Sequence, residues 1–413
     1  MSEIEKVIVV GTGFVGLPLA LSLAEEGIEV VGVDIDENVT KAINDASLNL
    51  DESEMQTLLE DDTVQEHLVA QNTPEAGDAF VISVPTPLTN PEKSPDLSYV
   101  QAAIESILPY LSEGDVVNVE STILPLTCDT LVTDLLTGAG FEVGDDVHLA
   151  HSPERILPGN VFEEIVSNDR IVGGATPDCA AAAAAIYEPF LEADIYETDL
   201  LSAELCKLME NTFRDINVAV ANEFALICDE LGIGAQQVID LANNHPRVDI
   251  LSPGIGVGGH CLPVDPWFLN EVDPEHTNLI TTARRINDMM PDFATKRIRR
   301  ATAEYKDPHI LALGASYKPN TYDQRNSPAK EIVEDLRLDG YSVAHYDDHV
   351  PEMGYDSLRS LVAEESPDVV VQLVAHDDTV AAIDNTREWL ADQGIELLQF
   401  GGAEPLDPTS YVQ

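Results

Sequence analysis

A short apolar run at Lys6–Val10 leads into the glycine turn Gly11–Gly16, an apolar-periodic stretch to Glu26 and a second apolar run at Glu29–Asp34. Strand, turn, helix and strand in that order predict a βαβ unit. Further runs at Ala79–Val84, Val116–Glu120, Val147–Ala150 and Arg170–Val172 alternate with helical stretches. That alternation predicts a mostly parallel sheet covered on both faces, ending near residue 199. Neither Pro nor Gly interrupts the chain from about Leu201 to Leu231, so a single helix of roughly 45 Å is expected as a spine between domains. After the Gly/Pro-rich loop Ser252–Pro266, a second helical segment is expected near Leu279–Tyr305. A new βα pattern begins at His309–Leu313, with strands near Ser342–Tyr346, Val369–Val374 and Glu396–Phe400, and predicts a second, smaller doubly wound domain. The run Ala180–Ala185 reads as a packed surface helix, because Ala is the strongest helix former.

Composition narrows the partners. The 413 residues suffice for two or three domains, and 44% of them are hydrophobic, so cores can form. Yet 75 acidic residues face 21 basic ones, a net charge of −54. Such a surface repels nucleic-acid phosphates and anionic membranes, and any anionic ligand must be captured locally. The acids are spread along the whole chain, as in cytosolic proteins of salt-accumulating halophiles. Cys128, Cys179, Cys206, Cys228 and Cys261 form no C-x-x-C and no zinc-like spacing, so neither a metal site nor a disulfide framework is expected, and a reducing cytoplasm fits. No signal-peptide layout and no apolar run of membrane-spanning length is visible, which predicts no membrane insertion.

Several residue groups carry chemistry. Gly11, Gly13 and Gly16 form G-x-G-x-x-G after a strand, and Asp34 ends the next strand eighteen residues beyond Gly16. Glycines there let backbone approach a pyrophosphate at a helix N-terminus, while the acid holds a ribose 2′-hydroxyl and repels a 2′-phosphate, so NAD is expected over NADP. Polar groups recur at later strand ends, Ser83–Thr86, Ser121 with Thr122, and Ser152–Arg155, where one crevice would collect them. Lys207 has Asn211 one turn further on the spine helix; it serves either a ligand or a pairing with Glu204 or Glu210. The densest signal runs from Gly254 through Gly256, Gly258, Gly259, His260 and Cys261 to Asp265. Four glycines before one cysteine predict backbone close to a ligand, and the acid four residues on favours a nucleophilic thiol over an inert one.

These residues resemble the UDP-glucose/GDP-mannose dehydrogenase family over nearly the whole chain. The stretches GVGGHCLPVDPWF, SPERILPGNVFEEIVSNDRIVGG and HPRVDILSPG are similar to its UDP-N-acetyl-D-mannosamine dehydrogenase branch. The resemblance implies an α/β protein with two Rossmann-like doubly wound domains joined by a central helical domain: an NAD domain at 1–199, a dimerisation domain with the cysteine loop at 200–301, and a UDP-sugar domain at 302–413. It also implies a homodimer, and a four-electron oxidation of a sugar 6-hydroxyl to a carboxylate with two NAD, of the kind that supplies polysaccharide biosynthesis. Cys261 would form a thiohemiacetal and then a thioester, with Lys207, Asn211, Asp265, Thr122 and Glu154 in support. Gly11, Gly13, Phe14, Val15, Gly16, Asp34, Thr86, Thr122 and Arg325 would bind cofactor. Glu154, Arg155, Lys207, Asn211, Gly258 and Lys318 would bind the UDP-sugar, with Arg247 reaching it from a neighbouring subunit.

The chain departs from the UDP-glucose type at Val264, where that type has lysine, and at His260, where it has serine. UDP-N-acetyl-D-mannosamine is therefore the expected substrate, with UDP-N-acetylglucosamine or UDP-glucose as alternatives. The segment Tyr322–Ser327 also departs from the family's usual DDLRES. A silent nucleotide-sugar-binding protein would have no use for the thiol. A two-electron hydroxyacid dehydrogenase would lack both the cysteine loop and the second βα domain.

Overall fold

The computed structural model describes residues 4–48, 53–89, 93–156 and 161–400. The chain divides into two compact units, Met1–Glu210 with Trp267–Asp273, and Asn211–Pro266 with Pro274–Gln413. The first unit holds eight strands: β1 Lys6–Val10, β2 Glu29–Val33, β3 Leu68–Gln71, β4 Ala79–Ile82, β5 Val116–Val119, β6 His148–His151, β7 Arg170–Gly174 and β8 Ile195–Asp199. Their order is β3-β2-β1-β4-β5-β6-β7-β8, parallel throughout except between β6 and β7. Residues alternate between two layers, as the pleat demands: Val7 and Val9 of β1 join one core cluster, Ile8 and Val10 the other. Connections leave β1 toward β2 on one side and return to β4 on the other, which opens a crevice at the carboxyl ends of β1 and β4.

The second unit repeats the principle on a smaller scale. Its strands β9 His309–Leu313, β10 Ser342–Tyr346, β11 Val369–Gln372 and β12 Glu396–Gln399 form a parallel sheet ordered β10-β9-β11-β12. Here Gly314 has φ +98°, and a Cβ there would lie 2.5 Å from Val374 Cβ, so the segments leaving β9 and β11 meet at their own switch point. The spine helix runs Leu200–Leu231, 32 residues without a break.

Three expectations need correcting. The Ala180–Ala185 run lies in the helix Pro177–Tyr187 with Ala180, Ala182, Ala183 and Ala184 buried, so it is a core helix and not a surface one. Its small side chains let it approach β7 so closely that a Cβ on Gly174 would sit 2.2 Å from the Ala180 nitrogen. The segment near Leu279–Tyr305 is two helices, Asn278–Asp288 and Met290–Ala301. Pro291 has no N–H to continue the first ladder, and it occupies the opening turn of the second helix. Strands β3 and β8 escape the apolar-run reading because they lie at the sheet edges and carry exposed residues, Val69 in β3 and Tyr196 in β8.

Candidate active site

The fingerprint glycines have three different reasons. Gly11 has φ +95°, and a Cβ there would lie 2.2 Å from the Ser83 carbonyl oxygen at the end of β4. Gly16 could not carry a Cβ either, at 1.9 Å from the Gly11 carbonyl oxygen. Gly13 alone faces open space, where a ligand backbone can approach. The helix Gly16–Glu25 begins after Phe14 and Val15 with no side-chain cap; in its first turn the Leu17 amide donates to the Gly13 carbonyl at 3.1 Å and Pro18 has no N–H, so an anion would be met at the turn itself. Asp34 ties β2 to this turn: its Oδ2 accepts from the Thr12 amide and hydroxyl, each at 3.2 Å. These features fit a dinucleotide.

The loops after β4 and β5 are stitched together. Thr86 Oγ1 donates to the Thr122 carbonyl at 2.7 Å, and Ser121 Oγ donates to the Val84 carbonyl at 2.8 Å. Ser121 and Ser152 are buried, and Ser152 donates to Asn118 Oδ1 at 2.9 Å. These two serines therefore bond within the protein, contrary to the expectation that they face the crevice. Just beyond, Leu126 sits exposed at φ +72°, and the buried Glu204 carboxylate accepts the amides of Leu126 and Cys128 at 2.6 and 3.0 Å. A non-glycine residue in that region is strained, and the anchored turn holds it there.

Glu154 and Arg155 are both committed. Glu154 Oε1 accepts the amides of Arg155 and Ile156 at 2.5 and 3.0 Å, and Oε2 accepts from the Arg170 guanidinium at 2.7 Å. Arg155 forks onto Glu210 at 3.1 and 2.6 Å and donates to the Asp169 carbonyl. Sequence reading did not find Arg170, whose guanidinium also reaches Glu120 at 3.0 Å. The available signal was a charged residue opening an otherwise apolar run in a chain poor in bases.

In the second unit the cysteine loop is held by its own chain. Gly256 and Gly259 have φ of +133° and +77°. A Cβ on Gly258 would lie 2.6 Å from Tyr317 Cβ and 2.7 Å from the Asn326 carbonyl oxygen. The segment after β9 thus supplies crowding that excludes side chains at Gly258. The Gly259 amide donates to the Arg325 carbonyl and Asn326 Nδ2 donates to the Gly259 carbonyl, both at 2.9 Å. Cys261 follows, with His260 Nδ1 at 3.4 Å from its Sγ and with electrostatic interactions reaching Tyr317 and Arg325. Tyr317, Asn326 and His260 are neighbours of the Cys261 loop that motif reading left unassigned.

Asp265 opens the helix Asp265–Val272, and its amide donates to the Cys261 carbonyl at 2.8 Å. Asn211 Nδ2 donates to its buried carboxylate at 2.5 Å, so one amide proton of Asn211 is committed and the other remains. Arg325 is clamped on Asp323 by three contacts of 2.6 to 3.0 Å, and this pairing holds the Asp323 carboxyl below the usual range despite burial. Lys318 Nζ lies 5.9 Å from the Tyr317 ring centroid. Asp347, after β10, takes the amides of Ala315, Ser316 and His349 and the His376 imidazole. Burial alone would raise this carboxyl, but those donors bring it to about 2 and pin the loop that leads to Lys318. Arg247 is exposed.

Comparison with known proteins gives three contiguous family matches, all of the UDP-glucose/GDP-mannose dehydrogenase family: the NAD binding domain over residues 5–191, the central domain over 201–289 and the UDP binding domain over 311–394. The chain is 43% identical over 388 residues to UDP-N-acetyl-D-mannosamine dehydrogenase of Methanocaldococcus jannaschii, covering 92% of this chain and 88% of that one. It is 42% identical over 382 residues to NDP-N-acetyl-D-galactosaminuronic acid dehydrogenase of Ralstonia nicotianae, covering 89% and 90%. Among solved structures it is similar to UDP-D-ManNAc dehydrogenase from Pyrococcus horikoshii, with a TM-score of 0.90, 37% identity and 98% of each chain covered.

Proposed function

We propose, for a chain that belongs to the UDP-glucose/GDP-mannose dehydrogenase family, the oxidation of the 6-hydroxyl of UDP-N-acetyl-D-mannosamine to the carboxylate of UDP-N-acetyl-D-mannosaminuronate. The observation that carries this reading is one chain holding both a dinucleotide turn and a clamped Cys261 loop beside Asp265 and Asn211. The enzyme is an NAD-dependent oxidoreductase, and NAD takes the two hydrides. The protein's own residues must supply the rest. An alcohol gives up its hydride once its proton leaves, but an aldehyde must first gain a nucleophile, and that addition is the role of Cys261. Lys207 and the remaining amide proton of Asn211 serve the developing oxyanion, and Asp265 and Glu154 handle protons and the hydrolytic water. Lys318, Arg155, Gly258 and Arg247 serve the UDP-sugar, and Thr86, Thr122 and Arg325 the cofactor.

NADH formation across UDP-N-acetylmannosamine, UDP-N-acetylgalactosamine, UDP-N-acetylglucosamine and UDP-glucose tests the substrate. The first is expected to show the highest kcat/KM, because a pocket built for an acetamido group leaves polar partners unpaired with glucose, a loss of orders of magnitude. Equal or better turnover of UDP-glucose overturns the substrate assignment. The likeness to the galactosaminuronic acid dehydrogenase makes UDP-N-acetylgalactosamine the second reading. For the cofactor, kcat/KM with NAD should exceed that with NADP, since the Asp34 carboxylate repels a 2′-phosphate. Parity between the two cofactors in the unmodified enzyme defeats that role.

A homodimer is supported by Phe213, Val220, Phe224, Ile227 and Leu231, which are exposed and recur at helical spacing along one face of the spine helix. No described helix is long and apolar enough to cross a membrane. The free cysteines fit a reducing cytoplasm, and the net charge of −54 fits a protein that works in concentrated salt.

A further inference from the structure

Arg170, Glu120 and Glu154 form a buried cluster, exposed by only 4%, 2% and 9% respectively. Arg170 leads β7, Glu120 directly follows β5 and Glu154 follows β6. One guanidinium bridges the two carboxylates, with NH1 on Glu120 Oε1 at 3.0 Å and NH2 on Glu154 Oε2 at 2.7 Å. The Tyr187 ring covers it, with the guanidinium carbon 4.0 Å from the ring centroid. Ser152 donates to Asn118, Asn118 to the Tyr187 oxygen, and the Tyr187 hydroxyl to Glu120 Oε1.

Two carboxylates and one guanidinium leave an uncompensated charge in this interior unless one acid keeps a proton. The donors decide which acid that is. Glu154 accepts three hydrogen bonds on its two oxygens, which leaves one of about four lone-pair directions. Glu120 Oε2 has no partner among the described residues. A neutral hydroxyl left there is less costly than a charged oxygen.

We infer that Arg170 is a positioning residue for hydrolysis of the Cys261 thioester: it holds the Glu154 carboxylate in a fixed orientation, while Glu120 carries the proton that charge balance requires. The inference rests on the reading of Glu154 as the carboxylate that serves the hydrolytic water. In that step the water oxygen bonds to the thioester carbonyl carbon and Glu154 takes the water proton. The C–S bond then breaks, and its electron pair returns to Cys261 Sγ. No oxidant is needed, and Arg170 touches none of the reacting atoms. Burial, augmented by the Glu154 charge and opposed by Arg170, pushes the Glu120 carboxyl up to about 8, consistent with that assignment.

Arg170→Lys keeps the charge but cannot bridge both acids at once. Stopped-flow NADH release should show the two hydride transfers within about threefold of the unmodified enzyme, followed by turnover slowed at least about tenfold. Intact-mass measurement should find the acyl adduct on Cys261. Hydrolysis at the unmodified rate with no adduct overturns the inference. Glu154→Gln separates this failure from that of the underlying reading: if it too accumulates no adduct, the role of Glu154 is wrong, and if it does while Arg170→Lys does not, only Arg170 is. Glu120→Gln copies the protonated acid. The groups facing Glu120 are Arg170, Glu154 and Tyr187. A carboxyl raised in the fold stabilises fully below its unfolded value of about 4.5, and that contribution is lost as pH rises toward 8. The Tm of Glu120→Gln relative to the unmodified protein should therefore climb between pH 5 and 8. A difference independent of pH, or one that falls, contradicts the proton on Glu120.

Discussion

Cys261→Ala is expected to abolish acid formation while the protein still binds both NAD and the UDP-sugar. Two hydrides must leave one carbon, and the second can leave only from a tetrahedral adduct, so without the thiol the pathway stops at the aldehyde. The unmodified enzyme should release two NADH per sugar with no free aldehyde. Cys261→Ser should stall at a bound hemiacetal or ester, since a hydroxyl adds less readily and its ester passes its acyl group to water more slowly. The loss in overall turnover should reach about 10⁴-fold or more, the scale seen when a covalent nucleophile is removed. The loop itself should persist, because its clamps are the Arg325 carbonyl and Asn326 side chain on Gly259 and the Tyr317 packing on Gly258, none of which uses the thiol. One NADH per sugar in the unmodified protein, or undiminished acid formation by Cys261→Ala, removes the four-electron mechanism.

Central strands were legible because burial on both faces writes a continuous apolar run. The central strands β1 and β9 fall at their expected bounds, as does β10 at an edge of the smaller sheet, and the spine helix begins within one residue of its own. Edge strands have one unpaired side and one wetter face, so β3 and β8 lack that run. Composition misleads when it fixes a propensity but not a neighbour. The alanines of Pro177–Tyr187 gave the helix, while their burial follows from its close approach to Gly174 on β7, which no local pattern shows.

The candidate site divides in the same way. The glycine fingerprint is legible because its constraints are local: Gly16 meets Gly11 five residues earlier. Gly258 is demanded by Tyr317 and Asn326, about sixty residues away in sequence, so a single chain read in order offers a ligand as the nearest explanation. Charge partners are the least legible. Arg170 reaches Glu120 across fifty residues, and its importance arises from desolvation that exists only once β5, β6 and β7 are adjacent. Arg325 illustrates the converse, since its nearest carboxylate is only two residues away at Asp323, and that local fork sets its orientation.

Lys207→Ala should lower kcat by about 10²-fold or more, the scale of losing one oxyanion donor, with little change in Tm. The structure sharpens the competing role for this lysine, a pairing within its own helix. Both acids proposed for that pairing are engaged elsewhere: Glu204 accepts the Leu126 and Cys128 amides, and Glu210 is forked by Arg155. Lys207 itself is half-buried and makes no ion pair among the described residues. Truncation therefore breaks no ion pair among the described residues. We propose that this ammonium instead meets a transient negative charge during turnover. Lys207→Arg tests the geometry of that encounter, because a planar fork cannot replace a compact ammonium at a small oxyanion, and should recover little of the lost rate. If Lys207→Ala instead lowers Tm while turnover per folded molecule survives, the lysine supports the helix and the oxyanion must be met by Asn211 and its neighbours alone.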